Sequence, residues 1–421
     1  PGGDAAAAAP PPQIRLTIVA PAEQKRLLET HLDLARLAIV APGEALSEAE
    51  LRRLAAATPA QARELLATLG FMDAEVTVTR EPSAVGELPQ LRVDVSRGAQ
   101  SRIERADLEL QGAVAKAAAR GDADARAAMA AWRAAWRLPV GSEFTDAAWR
   151  EAKTAALARL RAAGYAGATW AGTSAQVDAD RAAVRLIVVA DSGPLFRTGE
   201  IVIEGLERQD PLGVRNLAGF VPGTPATEAL LLDYQERLQR AGLYERVAVA
   251  LDADPARAEA AAVIVRLGEQ PLQQATAGFG YSANNGLRVS GEHLHRRPFD
   301  QRATLRNKVE IGRVRQAWEG ELSSHTLPGL YRNLIGGALE RLESSTDRVT
   351  SLRLRLGRAY DSQRIERLAF VELERALVRP FDVSALATQA TPDTTAATVN
   401  FHGTWRDVDS VILPTDGQSL A

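Results

Sequence analysis

The sequence contains no cysteine among its 421 residues. Disulfide scaffolds, zinc–thiolate sites, iron–sulfur clusters and cysteine nucleophiles are therefore excluded. No stretch approaches the roughly 18 consecutive apolar residues of a membrane-spanning helix, although a barrel of alternating strands would leave only a weak hydropathy signal. The net charge is only −3, so a nucleic-acid binder that relies on an overall basic surface is not expected.

Motifs for catalysis and cofactor binding are also missing. No Gly-x-Ser-x-Gly elbow, His-Glu-x-x-His helix or P-loop occurs. The segment 278–283 matches the dinucleotide pattern formally, but a hairpin signal rather than a helix follows it. His293 and His295 share one strand face, where a solvated or lumen-facing pair is favoured over a metal pair. We therefore predict a protein that is not an enzyme and has no catalytic residue, cofactor or metal site.

One pattern occurs three times after a Gly/Ala/Pro-rich stretch at 1–12, which we expect to be a flexible tail. In each copy a helical stretch ends at a glycine, an aromatic or apolar residue follows, and an alternating strand comes next. These glycines and the aromatic residues near them are Gly70 and Phe71, Gly164 and Tyr165, and Gly242 and Tyr244. The pattern predicts three α+β modules of order β-α-α-β-β. Their predicted limits are 13–98, 99–192 and 193–271.

Local signals place some of the helices. Ser47-Glu-Ala-Glu50 matches a capping box at a helix start. Thr224-Pro225 places proline at a first helical position after a capping threonine. The second copy carries an additional Ala-rich helical segment at about 113–136, in which Trp132 and Trp136 are favoured as core residues over a partner anchor.

The small sheets of such modules have open edges. An edge strand can accept an added strand from another chain, or its charges can simply prevent pairing. The sequence leaves both alternatives open.

The remainder, 272–421, has the pattern of a hairpin series. Asn284-Asn285-Gly286 is a hairpin signal, and apolar residues then alternate with charged ones over about eight or nine strands. A soluble sheet and a membrane barrel with a wet lumen both alternate in this way. Successive arginines at Arg353 and Arg355 favour the barrel slightly. Arg302, Arg306 and Lys308 share a face and would line such a lumen or lie on a solvated edge.

The modules resemble POTRA domains, and the third copy carries the most specific match. Residues 191–205 contain the Gly-Pro, aromatic, Gly and Ile-x-Ile-x-Gly pattern of that family, with Gly199 and Gly205 at its glycine positions. Residues 277–288 resemble the first barrel strand of the same superfamily. The whole is similar to the TamA family of POTRA-containing outer-membrane insertases, which is related to BamA. The family's Arg-Gly-Phe triplet is absent, so 272–421 resembles the N-terminal part of a barrel.

The resemblance implies tandem POTRA modules followed by an antiparallel transmembrane β-barrel, incomplete here. It implies a place in the Gram-negative outer membrane, with the modules in the periplasm. The implied function is to help insert or translocate client β-barrel or autotransporter proteins. The implied partners are outer-membrane client proteins, a TamB-like inner-membrane-anchored protein and outer-membrane lipid. The first barrel strand would form a lateral seam, with small or polar residues at Thr276, Gly278, Gly280 and Ser282.

Two other functions stay open at this point. One is a two-partner-type secretion pore, which two modules rather than three would favour. The other is a soluble periplasmic binding scaffold, which a continuous outward apolar band would exclude.

Overall fold

The computed structural model describes residues 14–39, 47–84, 87–283, 286–362, 364–381, 393–408 and 416–420. The chain divides into two units, Pro1–Leu195 and Phe196–Ala421. The predicted tail at 1–12 and the turn residues Asn284 and Asn285 lie outside the described residues. No described helix is both long and apolar enough to cross a membrane.

The first module in the first unit is a three-stranded sheet with helices. Its elements are β1 (Arg15–Val19), α1 (Ala22–His31), α2 (Asp33–Ile39), α3 (Glu48–Thr68), β2 (Glu75–Glu81) and β3 (Gln90–Ser96). The sheet order is β1-β3-β2, with β1 parallel and β2 antiparallel to β3. Alternate strand residues such as Val76 and Val93 pack with Leu66 of α3 in the core, as a period of two requires.

The second module repeats this topology. Its elements are β4 (Arg102–Gln111), α4 (Ala113–Ala119), α5 (Ala123–Ala134), α6 (Asp146–Ala162), β5 (Thr169–Asp178) and β6 (Ala183–Asp191). The sheet order is β4-β6-β5. The predicted Ala-rich segment is two helices, because the chain turns at Gly121 with a φ of +96°. Trp132 is buried in the core, and Trp136 meets Trp149 edge-on at 5.9 Å between ring centroids. The predicted core role of both tryptophans is confirmed.

The third module opens the second unit. Its elements are β7 (Thr198–Glu204), α7 (Pro211–Asn216), α8 (Glu228–Arg240), β8 (Tyr244–Leu251) and β9 (Ala261–Glu269), with a short 3-10 turn at Pro255–Ala260. The sheet order is β7-β9-β8. The predicted repeat of β-α-α-β-β is thus confirmed, although the first two modules each contain a third helix.

The two predicted helix starts differ in outcome. Ser47 caps α3 as expected, since its hydroxyl accepts from the Glu50 amide at 3.2 Å. The prediction of a cap at Thr224 is wrong, because α8 begins three residues later. Residues 224–226 run beside β7, with Pro225 in an antiparallel bridge to Arg197, and Thr227 caps the helix.

The rest of the second unit is one antiparallel sheet in which every strand pairs with the next. Its strands are β10 (Gln273–Ser282), β11 (Gly286–His295), β12 (Ala303–Gly312), β13 (Arg315–Ser324), β14 (Tyr331–Glu343), β15 (Asp347–Asp361), β16 (Ile365–Pro380), β17 (Asp393–Val408) and β18 (Gly417–Leu420). A 3-10 turn at Pro298–Asp300 separates β11 from β12. The nine strands agree with the expected eight or nine. Among the described residues the sheet is open, with β10 at one edge and β18 at the other.

Candidate functional site

One face of the large sheet is apolar and exposed. Phe279 of β10 is 82% exposed, and Val399 of β17 is 84% exposed. The other large exposed residues on this face are Tyr281, Leu287, Val289, Val309, Ile311, Trp318, Leu322, Ile335, Leu339, Leu352, Leu354, Leu356, Val371, Leu373, Phe401, Trp405 and Leu420. We call this set the apolar face.

The strand register makes the apolar face continuous. Phe279 lies opposite Val289, which lies opposite Ile311 on the following strand. Leu354 in the same way lies opposite Leu373. Directly opposed residues in an antiparallel pair share a side of the sheet. Monomeric soluble proteins rarely expose apolar patches of more than a few hundred Å², so this face requires an apolar surrounding.

The opposite face carries arginine and glutamate pairs. Arg315 bridges Glu310 at 3.0 Å and Glu340 at 2.6 Å, and Arg355 pairs with Glu372 at 2.8 Å. These pairs lie on neighbouring strands, so each one links two of them. Charges of both signs alternate here, as suits a wet surface rather than a hydrocarbon one. We call this set the polar face.

A cavity of about 410 Å³ lies on the polar face. Gly336 and Ala338 contribute to its lining, and charged side chains supply most of the rest. Arg306 and Lys308 are among them, as the sequence suggested for a lumen. Arg302 lies apart from the cavity, before β12, where its guanidinium is 3.9 Å from Asp210 of the third module.

Strand β10 carries the predicted seam residues. Thr276, Gly278, Gly280 and Ser282 lie opposite Glu292, Ser290, Arg288 and Gly286 of β11, which puts all four on the polar face. A Cβ at Gly278 would meet the Ser290 hydroxyl at 2.8 Å, so the Ser290 side chain fills the space beside this glycine. No described strand pairs with the outer side of β10. The backbone groups on that side form an open hydrogen-bonding edge.

The helix-ending glycines adopt the predicted left-handed conformation. The φ angles of Gly70, Gly164 and Gly242 are +88°, +98° and +68°. At Gly70 a Cβ would lie only 2.1 Å from the carbonyl oxygen of Phe144 in the second module, and the Gly70 carbonyl accepts from the Ser101 amide at 2.9 Å. Glycine at this position therefore lets the first two modules meet.

The other residues of the POTRA pattern lie in cores or tight contacts. Phe71, Tyr165 and Tyr244 are buried in the first, second and third modules. A Cβ at Gly199 would meet the Ala260 carbonyl oxygen at 2.4 Å, and one at Gly205, with a φ of +81°, would meet that of Leu267 at 2.2 Å. Burial raises the pKa of the Tyr244 hydroxyl. These positions support the fold of each module.

The two histidines lie at the end of β11, on the same side of the sheet as Val289 and not on the polar face, so the lumen-facing alternative is wrong. The ring centroids of His293 and His295 are 6.3 Å apart. His293 lies near the Gln273 side-chain oxygen at 3.4 Å, and His295 accepts from the Arg297 amide at 3.1 Å. The described residues contain no group of three or more side chains that could hold a metal ion.

The joint between the third module and the sheet was not predicted from the sequence. Glu269, at the end of β9, accepts hydrogen bonds from the backbone amides of Glu207, Arg208 and Gln209 at 2.7–3.0 Å. Burial alone would raise the pKa of Glu269, but these amides and the Arg208 guanidinium together hold it below its ordinary value. The Arg208 carbonyl in turn accepts from Arg297, beyond β11.

The turn between β13 and β14 completes this joint. His325 is buried, and its Nε2 lies 3.0 Å from the Arg296 carbonyl oxygen. The pKa of His325 is lowered mainly by burial, with the charges of Arg297 and Arg302 acting in the same direction. The neighbouring Thr326 carbonyl accepts from the Asn216 amide group of the third module at 2.8 Å. Side chains and backbone thus tie the module to the sheet at several points.

Three modules that resemble POTRA domains, followed by a large antiparallel sheet, define the class of fold. No protein-family model matches this chain, and no curated protein does. Among solved structures, BamA from Haemophilus ducreyi lacking POTRA domains 1–3 aligns with a TM-score of 0.53 at 12% identity, covering 76% of this chain. The chain spans 62% of that structure. This likeness shows that the chain shares its fold with BamA.

Two further solved structures align more loosely. CdiB from Acinetobacter baumannii has a TM-score of 0.39 at 14% identity, covering 74% of this chain and 60% of its own. POTRA3–5 of Haemophilus influenzae BamA has a TM-score of 0.34 at 17% identity, covering 62% of this chain and 96% of its own.

Proposed function

We propose that this chain is part of an outer-membrane assembly factor that helps client β-barrel proteins enter or cross the membrane. The observation that carries the proposal is an open edge strand, β10, beside a continuous apolar face. In hydrocarbon, unpaired backbone groups of an entering strand are expensive. A membrane-embedded edge that offers hydrogen-bond partners lowers this cost. The proposal involves no covalent chemistry and no cofactor.

The apolar face supports a place in the outer membrane. Strands β14 to β17 each have 13 to 16 residues, more than the roughly 9–11 that a tilted membrane strand needs. The POTRA-like modules would then lie in the periplasm. We retain the module limits 13–98, 99–192 and 193–271, with the barrel portion at 272–421, as part of this proposal.

The residues proposed for the seam are Thr276, Gly278, Gly280 and Ser282. Two of the four are glycines, which contribute no side chain to hold β10 against β11. Phe279 and Tyr281, between them, are both at least 80% exposed. We infer that the outer edge of β10, which no described strand covers, can pair with a client strand. The POTRA-pattern residues described above would act only by maintaining the modules.

The partners that we propose are client barrel proteins, outer-membrane lipid and an inner-membrane-anchored protein of the TamB type that contacts the modules. The described residues already include three modules, which supports an assembly factor of the TamA type over a two-partner secretion pore. The exposed apolar face supports a membrane protein over a soluble periplasmic scaffold.

Cross-linking tests the proposal directly, because the chain has no cysteine and any introduced thiol is unique. The full chain with Gly280→Cys is placed in phospholipid vesicles, and a client barrel with one cysteine in its terminal strand is added. We expect faster client folding than in empty vesicles and, after a mild oxidant is added, a disulfide to the client. Gly336→Cys, on the same face of the interior strand β14, is the matched control.

Two results would contradict the proposal: equal cross-linking from both positions, or client folding no faster than in empty vesicles. A client released into the vesicle lumen, and therefore protected from added protease, would favour the secretion pore instead.

A further inference from the structure

Arginines border the apolar face at the end of the sheet away from the third module. The third module meets the sheet near Asp361, the last residue of β15, which pairs with Arg240 at 3.3 Å. Arg348 lies near the other end of the same strand. Arg341 of β14 and Arg379 of β16 lie beside it on the neighbouring strands. We call Arg341, Arg348 and Arg379 the distal arginine cluster.

The strand register places this cluster on the same side of the sheet as the apolar face. Residues alternate between the two sides of a strand, so Arg348 shares a side with Leu354 of β15. Arg348 also lies directly opposite Arg379. Arg341 lies opposite Thr350, the next residue of β15 on this side. Directly opposed residues have Cβ atoms about 5 Å apart, so the three guanidinium groups are close enough to surround one small anion.

The described residues supply too few acidic groups to balance the cluster. Glu343, directly opposite Arg348, accepts from Arg348 at 2.8 Å and also from Arg341. No described residue pairs with Arg379, which is exposed. Like charges directly opposite each other destabilise a sheet, and an unpaired charge beside hydrocarbon is unfavourable. A bound anion would relieve both effects.

The cluster lies at the level where a membrane-embedded band would end. The leucines of β15 separate Arg348 from Arg358. The segment between these two arginines spans roughly 33 Å along the strand. A tilt of about 40° reduces this to about 25 Å, the height of the apolar band in outer-membrane barrels.

Aromatic rings accompany the arginines at both ends of this band. The Cζ atom of Arg348 is 5.6 Å from the ring centroid of Phe381, and that of Arg358 is 4.2 Å from the ring centroid of Tyr331. Aromatic and long basic side chains together are typical of the boundary between membrane and water. This places the distal arginine cluster among lipid headgroups rather than among acyl chains.

We propose that the distal arginine cluster binds the phosphate of an anionic lipid headgroup. The inference rests on the proposed function, because it takes the apolar face to be embedded in the membrane with the modules in the periplasm. The cluster then lies in the outer leaflet. A guanidinium donates to two phosphate oxygens at once, and no described residue uses the donors of Arg379. The acyl chains of the same lipid would pack on the leucines of β15, which favours a lipid over a free phosphate ion.

A fluorescent dye beside the cluster tests this in phosphatidylcholine vesicles. The full chain with Thr350→Cys is labelled at that position alone, because the chain has no other thiol. One sample contains a small fraction of phosphatidic acid with a nitroxide on its acyl chain near the headgroup. A parallel sample contains phosphatidylcholine with the same nitroxide. We expect phosphatidic acid to be enriched about tenfold at the dye, as measured by its stronger quenching.

Substitutions in the cluster should remove this preference. Arg379→Gln should reduce it to about twofold, because one basic side chain near the membrane surface accounts for about fivefold. Arg379→Lys keeps the charge without the fork of donors and should leave about fivefold. Arg358→Gln, on the same side of β15 at its other end, is the matched control and should leave the preference unchanged.

Three results would overturn the lipid site. The first is equal quenching by the two lipids, and the second is a preference that Arg379→Gln leaves intact. The third is loss of the preference when millimolar inorganic phosphate replaces chloride at equal ionic strength. That result would mean that the cluster binds free phosphate instead of a lipid.

The client assay in the same vesicles separates this inference from the proposed function. Faster client folding without a lipid preference would refute the lipid site alone. A lipid preference without faster client folding would refute the assembly function alone. No quenching by either lipid would refute the membrane placement, and both proposals with it.

Discussion

The strands of the modules and those of the large sheet follow the same alternation but use it in opposite ways. In β9, Val263 and Val265 are fully buried under the helices of the third module. In β15, Leu352, Leu354 and Leu356 have the same spacing and are about half exposed. A period of two fixes which residues share a face, but not what covers that face. In each module, helices cover the apolar face of the small sheet. The apolar face of the large sheet instead depends on an apolar solvent.

Truncation of a buried leucine in one of the modules should cause the largest loss of stability. Leu160 of α6 is fully buried. Leu160→Ala should lower the free energy of unfolding of its module by about 2–5 kcal/mol, since it leaves a cavity. Urea unfolding of the full chain in detergent, followed by tryptophan fluorescence, measures this.

The matched control is Val140→Ala, at an exposed position of the same module, which should change the same free energy by less than about 0.5 kcal/mol. Equal losses from the two variants would mean that burial does not distinguish the two positions.

A charged residue introduced on the apolar face should cause the next largest loss of stability. We expect this loss only when the protein is in lipid. Leu354 is the middle residue of β15. Leu354→Arg should destabilise the sheet in vesicles by about 2–4 kcal/mol if the face lies near the bilayer midplane. Ser351→Arg, on the polar face of the same strand, should be tolerated. The folded fraction after urea titration in vesicles measures both, and equal stability of the two variants would argue against a lipid-facing surface.

The sequence predicted most of the fold because its signals are local. Helix-ending glycines such as Gly70 and Gly164, and the alternation of residues such as Arg353 and Leu354, need no knowledge of distant residues. The start of α8 was misplaced because Thr224 and Thr227 both suit a cap, and the choice depends on the pairing of Pro225 with Arg197. That pairing is a tertiary contact.

The joint could not be predicted for the same reason. Glu269 and Arg208 are 61 positions apart, and Arg296 reaches Gly242 across 54. Nothing in the local sequence marks Glu269 and Arg296 as buried. The adjacent Arg296 and Arg297 at the end of a predicted strand were the only available signal, and a charged turn is the ordinary interpretation of such a pair.

The joint connects the covered sheet of the third module to the exposed large sheet. Substitution of Glu269, at this joint, should give the smallest loss of stability among these predictions. The Glu269 side chain is almost fully buried, and the protein surrounds its carboxylate with donors. Glu269→Gln should lower the stability of the third module by about 1–3 kcal/mol at neutral pH, because an amide accepts fewer of these bonds. The exposed Glu245→Gln should cost almost nothing. Hydrogen exchange of the third module in urea measures both variants, because this module contains no tryptophan.

The pH dependence provides a second test of Glu269. Its pKa is lower in the folded protein than the ordinary 4.5, so the unfolded chain takes up the proton first as pH falls. The stability that Glu269 contributes is therefore complete above about 4.5 and is lost as pH falls through the folded pKa. The difference between wild type and Glu269→Gln should shrink across this window. A difference that stays constant from pH 7 to pH 3 would mean that the ionised carboxylate does not hold the joint.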